Sequence, residues 1–208
     1  KTMINNEQNI AYNQYMIDSE QAIEAGNFDM AADTLQKAEQ LLPKRAEAYS
    51  KEVLLLYERE EYADCISYGE EILRDAPYQL ADQEASTILS NIYYVLGNAY
   101  VETEDYGNAV VNLEKALSLC QDNSLYYRDY AIALAKTGNI DLAESELQHA
   151  VDMGLGEDSI YMVQGEIAYA KEYYEEASEL LKKVISFSDS DSLRKRAVLL
   201  CDKAYREL

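Results

Sequence analysis

The chain is poor in the residues that bend a backbone. Among 208 residues there are 8 Gly and 2 Pro, where ordinary usage would give roughly 25 of the two together. With Ala, Leu, Glu and Tyr abundant, that scarcity argues for an almost wholly helical protein. Basic residues are also few, 18 Lys and Arg against 39 Asp and Glu, for a net charge of -21. Nucleic acid is thereby disfavoured as a partner, because phosphate contacts need clustered Lys and Arg. No apolar run approaches the 18 or so residues of a membrane span, so direct membrane insertion by this segment is not expected. The N-terminus lacks the charged-then-apolar pattern of a signal peptide. Residue 1 is Lys, so the sequence reads as an excerpt, and cytoplasmic, membrane-tethered and extracytoplasmic placements stay open. Cys65, Cys120 and Cys201 are widely spaced, and His149 is the single histidine. A zinc site needs closely spaced thiolate and imidazole ligands; free, buried or partly buried thiols are expected instead, with no metal and no cofactor. Tryptophan is absent and phenylalanine occurs twice, yet there are 19 tyrosines.

Part of that tyrosine surplus is periodic. Tyr15, Tyr49, Tyr93, Tyr127 and Tyr161 are separated by 34, 44, 34 and 34 residues. A column of Ala31, Cys65, Ala109, Ala143 and Ala177 keeps the same spacings, as does one of Ala38, Ile72, Ala116, Ala150 and Val184. Three columns in step define a 34-residue unit used five times. The units run over 12–45, 46–79, 90–123, 124–157 and 158–191, after a lead-in of 1–11 and with an insertion at 80–89. Each unit reads as two amphipathic helices. In the third, Ile92, Tyr93, Leu96, Gly97 and Tyr100 follow helical spacing, and Ala109, Leu113, Ala116 and Leu117 mark a second helix after a turn at Glu104 and Asp105. Gly26 and Gly138 fall at matching inter-helix turns, where glycine accepts positive φ. Pro43 and Pro77 lie just beyond second helices, which they stop without breaking a hydrogen-bond ladder. Gly97, Ala131 and Gly165 are small where two helices of a unit must approach closely.

The third unit reads Tyr93-x2-Leu96-Gly97-x2-Tyr100, then Ala109-x3-Leu113 and Ala116. This resembles the tetratricopeptide repeat, whose pattern is W-x2-L-G-x2-Y followed by A-x3-F, A and P. Tyrosine replaces tryptophan throughout, Ser19 and Gly69 are atypical, Glu52 and Val53 replace the Leu-Gly pair, and the proline is missing after the second unit. The resemblance implies an all-α, right-handed superhelical solenoid of five helix-turn-helix units, with the first helices lining a concave groove. Residues 192–208 read as a C-terminal capping helix, with Leu193, Ala197, Leu200, Ala204 and Leu208 as its apolar stripe. That segment carries a net charge of +3 against -24 for residues 1–191. The insertion continues the helical stripe of the third unit upstream, through Ala81, Ala85, Ile88 and Leu89.

Carried onto this chain, the family's groove positions are Met16, Glu20, Leu54, Tyr57, Tyr94, Asn98, Arg128, Ile132, Met162, Glu166 and Tyr169. Each could equally pack against a neighbouring hairpin. Family members that clamp a chaperone's terminal carboxylate use Lys, Arg and two Asn. Asn98 keeps one of these places, but Tyr94, Asp129, Ser159 and Val163 stand at the others, which disfavours that ligand. Acids outnumber bases along the first helices, so a protein or peptide segment that is neutral or basic, with apolar anchors, is the expected partner. No nucleophile elbow, phosphate-cradling glycine loop or paired-histidine metal motif occurs, and no catalytic residue is assigned. The sequence thus points to a protein-interaction scaffold within a larger bacterial protein. The alternative is a peptide-sensing regulatory domain controlling an attached effector, such as a DNA-binding or kinase domain.

Overall fold

Helix after helix closes in the same way. The computed structural model of the chain describes residues 2–75 and 83–208, and among them it holds eleven α-helices and no strand. These are α1 (Thr2–Glu24), α2 (Phe28–Leu41), α3 (Ala46–Glu58), α4 (Tyr62–Asp75), α5 (Gln83–Glu102), α6 (Tyr106–Leu119), α7 (Ser124–Lys136), α8 (Ile140–Asp152), α9 (Glu157–Ala170), α10 (Tyr174–Phe187) and α11 (Asp191–Glu207). After α1, α3, α5, α7 and α9 comes a residue in the left-handed region: Gly26 (φ 70°), Glu60 (60°), Glu104 (62°), Gly138 (80°) and Glu172 (63°). The N–H of each donates to the carbonyl three residues earlier, for example Gly26 to Ile23 and Glu172 to Tyr169, both at 2.9 Å. At four of the five turns the next N–H reaches back five residues, Asn27 to Ala22, Glu61 to Leu56, Asn139 to Leu134 and Tyr173 to Ala168. Together the two bonds satisfy carbonyls that a helix end would leave open. The residue after the left-handed one already starts the next helix. Asn27 and Asp105 accept from the N–H of Met30 and Asn108, each at 3.2 Å, as N-caps.

The chain divides into two compact halves, Lys1–Glu104 and Asp105–Leu208. In the N-terminal half α1 packs on α2, α2 on α3, and α5 against both α3 and α4. Its core gathers Tyr12, Ala22, Leu35, Ala38 and Leu55 around α1–α3, and Val53, Cys65, Val95 and Ala99 around α3–α5. The phenol oxygen of the buried Tyr12 accepts from the Ala48 N–H at 3.2 Å, tying α1 to α3. Gly69 has a packing reason: a Cβ there would lie 2.6 Å from Leu96 Cδ2, so α5 fills the space that a larger α4 residue would occupy.

In the C-terminal half α7 packs against α6, α8 and α9, and α10 lies between α9 and α11. Here too the small residues are there to be approached, since a Cβ on Gly165 would sit 2.8 Å from Leu181 Cδ2. Across both halves Ala31, Cys65, Ala109, Ala143 and Ala177 are completely buried. The columnar tyrosines are all half-buried. Tyr49 donates its hydroxyl to the Pro43 carbonyl at 3.0 Å, and Tyr161 donates to Glu157 at 2.8 Å.

The capping helix α11 packs on α10 and α9, burying Leu193, Ala197, Leu200 and Ala204. Leu208 departs from the expected stripe. It is 67% exposed beyond the end of the helix, while Cys201 is buried about two turns earlier. The three thiols are free, Cys65 and Cys201 buried and Cys120 half-buried. Burial pushes the Cys65 thiol up to about 12. Of the insertion, residues 80–82 lie outside the described residues, and the remainder belongs to α5, which starts at Gln83.

Candidate protein-binding surface

The structure sorts the anticipated groove residues by exposure. In the N-terminal half, Glu20 and Leu54 are exposed and Met16, Tyr57 and Tyr94 are half-buried. Asn98 is buried, with its side-chain amide donating to the Tyr94 carbonyl at 3.2 Å. Lys51 of α3 forms an ion pair with Glu20 of α1. Tyr57 meets Tyr62 with ring centroids 5.4 Å apart, so the aromatic at the end of α3 is held by the start of α4.

In the C-terminal half the same corner recurs at the end of α9, where Tyr169 meets Tyr174 edge-on at 5.3 Å. Ile132 and Met162 are corrections to the sequence reading. Both are fully buried, because α7 and α9 are flanked by helices on both sides and the groove-side positions also fill the seams between them. Arg128 donates from Nε and Nη2 to the two carboxylate oxygens of Asp129, at 2.7 and 3.1 Å, and from Nη1 to the Ser159 hydroxyl of α9 at 3.4 Å. Lys136 of α7 pairs with Glu166 of α9 at 3.1 Å and lies 5.4 Å from the centre of the Tyr106 ring. Asp129 and Glu166 are buried, and a buried carboxylate needs such a partner. On this half, therefore, the acid excess read along the first helices is offset locally by Arg128 and Lys136. What remains accessible among these positions is Tyr169 and the paired ionic groups of Arg128 and Lys136.

A second titratable cluster lies elsewhere in the N-terminal half. The Tyr68 hydroxyl of α4 stands 2.9 Å from Glu39 of α2 and 3.3 Å from Glu52 of α3. Burial, followed by the bond and charge of Glu52, pushes the Glu39 carboxyl up to about 8. Burial and the two acids also raise the Tyr68 phenol above its usual range. Sequence reasoning missed this cluster, because residues 39, 52 and 68 share no motif. His149 is exposed beside Glu146, with Nδ1 3.0 Å from its carboxylate and the ring edge-on to Tyr127. Among the described residues no group of three or more His, Cys, Asp or Glu is placed to hold a metal ion. Nor is any described helix long and apolar enough to cross a membrane.

Helices joined in pairs by left-handed turns, with a small-residue column repeating every 34 residues, define a helical-repeat protein. The sequence profile of the tetratricopeptide repeat matches residues 90–123 and 158–191. The chain thus carries tetratricopeptide repeats at those two stretches. Solved structures share the fold. MamA (residues 41 to the end) from Desulfovibrio magneticus RS-1 aligns with 18% identity over 86% of this chain and 98% of its own, with a TM-score of 0.64. YrrB, described as a TPR protein with an unusual peptide-binding site, aligns with 22% identity over 89% and 90%, with a TM-score of 0.60. PilW, described as a widely conserved type IV pilus biogenesis factor, aligns with 17% identity over 90% and 82%, with a TM-score of 0.66. A comparison with curated protein sequences gave no match.

Proposed function

We propose that the chain is a protein-interaction module, five repeats and a cap within a larger bacterial protein, that binds an extended partner segment on the faces of its first helices. The observation that carries this reading is the side-chain composition at the groove register. Leu54, Tyr57, Tyr94 and Tyr169 remain at least partly accessible there although the core around them is complete. Half-buried aromatic rings bury area at little cost in side-chain freedom, which makes them suitable anchors for a partner. Arg128 and Lys136 lie between acids and polar groups and can orient a peptide backbone or polar side chain without leaving a bare buried charge. The net charge of -21 favours a neutral or basic segment carrying apolar side chains. YrrB, similar in fold, is described as having a peptide-binding site, which agrees with this use of the scaffold.

The test is a peptide array probed with the protein and with its Tyr94→Ala and Arg128→Ala variants. Basic, apolar-anchored segments should be enriched, and each variant should weaken their binding. Binding that ignores both variants would remove the first-helix faces as the site.

A further inference from the structure

The opposite face of α9 carries its own feature. Ile160, Gln164, Ile167 and Lys171 are offset by two positions from Met162, Glu166 and Tyr169, about 200° around the helix. There α9 floors a cleft between α8 and α10 with a volume of about 420 Å³. Leu147 and Val151 of α8, Ile160 and Ile167 of α9, and Leu180 of α10 supply the apolar part of its lining, with Gln148 and Gln164 among them. The mouth is acidic. Glu144 and Glu176 rim it, and Tyr173 and Glu176 continue into an adjoining hollow that Glu172, Glu175 and Glu179 share with the exposed Leu208.

The cations nearby are already engaged. Lys171 pairs with Glu144 across the mouth. Lys182 and Lys183 of α10 lie over the rings of Tyr205 and Tyr161, at 5.0 and 4.7 Å from their centres. A partly aliphatic trough bordered by two helices and rimmed by carboxylates has the shape and charge that an amphipathic helix fits, its ridge of side chains seated between theirs.

We propose that the α8–α10 cleft is a second docking site, distinct from the first-helix faces, for a cationic amphipathic helix of a partner protein. The apolar ridge of that helix enters the cleft, and its Lys or Arg residues meet Glu176 and the glutamates beyond Tyr173. Docking of this kind would let the chain hold two partners at once.

The probe is a fluorescent synthetic helix made of leucine and lysine in an amphipathic pattern, with a leucine–glutamate helix as its counterpart, read by anisotropy. The lysine helix should bind and the glutamate helix should not. Val151→Arg, at a residue 36% exposed on the cleft wall, and Glu176→Lys should each weaken binding about tenfold or more. Ile17→Arg, the same charge change at an exposed residue of α1, should leave it within about twofold. Thermal melts of the three variants keep unfolding apart from lost binding, and Glu176→Lys alters only an exposed position. Equal losses in Val151→Arg and Ile17→Arg would reduce the interaction to diffuse attraction by an acidic body and overturn the proposal. So would undiminished binding in both cleft variants. A loss seen only with Tyr169→Ala would place the probe on the first-helix face, which overturns the second site and leaves the proposed function standing.

Discussion

Three of the six residues in the left-handed region are glutamates, Glu60, Glu104 and Glu172, and an L side chain there costs about 1–2 kcal/mol. Replacing Glu104 or Glu172 with Gly should raise stability by roughly 0.5–1 kcal/mol, once the greater freedom of glycine in the unfolded chain is subtracted. Gly138→Ala should lower it by about 1 kcal/mol through backbone conformation alone, since nothing lies within 4 Å of the added Cβ. Urea midpoints measure both, and a neutral Gly138→Ala would contradict the reading. A second residue-scale effect concerns Glu39. One phenol proton cannot serve both carboxylates around Tyr68, so a carboxyl proton on Glu39 completes the set. The folded state holds that proton up to about pH 8, while the unfolded chain releases it near pH 4.3. The folded state binds more protons between these values, so the contribution is fully present below about pH 4 and is lost as pH rises toward 8. Glu39→Gln mimics the protonated acid. It should raise the melting temperature at pH 8 and change it little at pH 4, and an equal shift at both would contradict the proton's role.

At the scale of the element, the hairpins depend on small residues that admit a neighbour. Leu181 is fully buried against Gly165. Gly165→Ala should therefore destabilise by about 1–3 kcal/mol through overpacking, even though alanine is the better helix former. A stability gain measured by denaturant titration would show that α9 and α10 can separate freely. The sequence made such positions legible because Ala109, Ala143 and Ala177 repeat as residue types, and a repeated type reports a repeated contact. The left-handed turns repeat just as faithfully, but only Gly26 and Gly138 announced themselves. A glutamate's side chain carries no sign of its backbone angle. For the proposed groove positions, spacing gave the register along each helix but not the exposure. Spacing places Ile132 and Met162 beside Arg128 and Glu166, yet α7 buries Tyr126 and every residue from Asp129 to Ala135. Helical periodicity cannot tell a groove face from a seam when helices pack on both sides. The Glu39, Glu52 and Tyr68 cluster was hidden for another reason, since it joins three helices through residues that no motif links.

For the whole molecule the governing quantity is charge. At -21 the folded chain repels itself more than the expanded one does, so added salt should raise the melting temperature. Loss of exposed pairs such as Lys37–Asp33 opposes this only slightly. Partner binding should respond in the opposite sense, weakening as screening shortens to about 10 Å at 0.1 M salt. The central claim is that the first-helix faces receive a partner segment, and its most direct test is hydrogen exchange with and without a basic, apolar-anchored peptide taken from the array. Slowed exchange in α3, α5, α7 and α9 around Tyr57, Tyr94, Arg128 and Tyr169, reversed by salt, is the predicted result. Protection confined to the second helices, or protection that grows with salt, would contradict it.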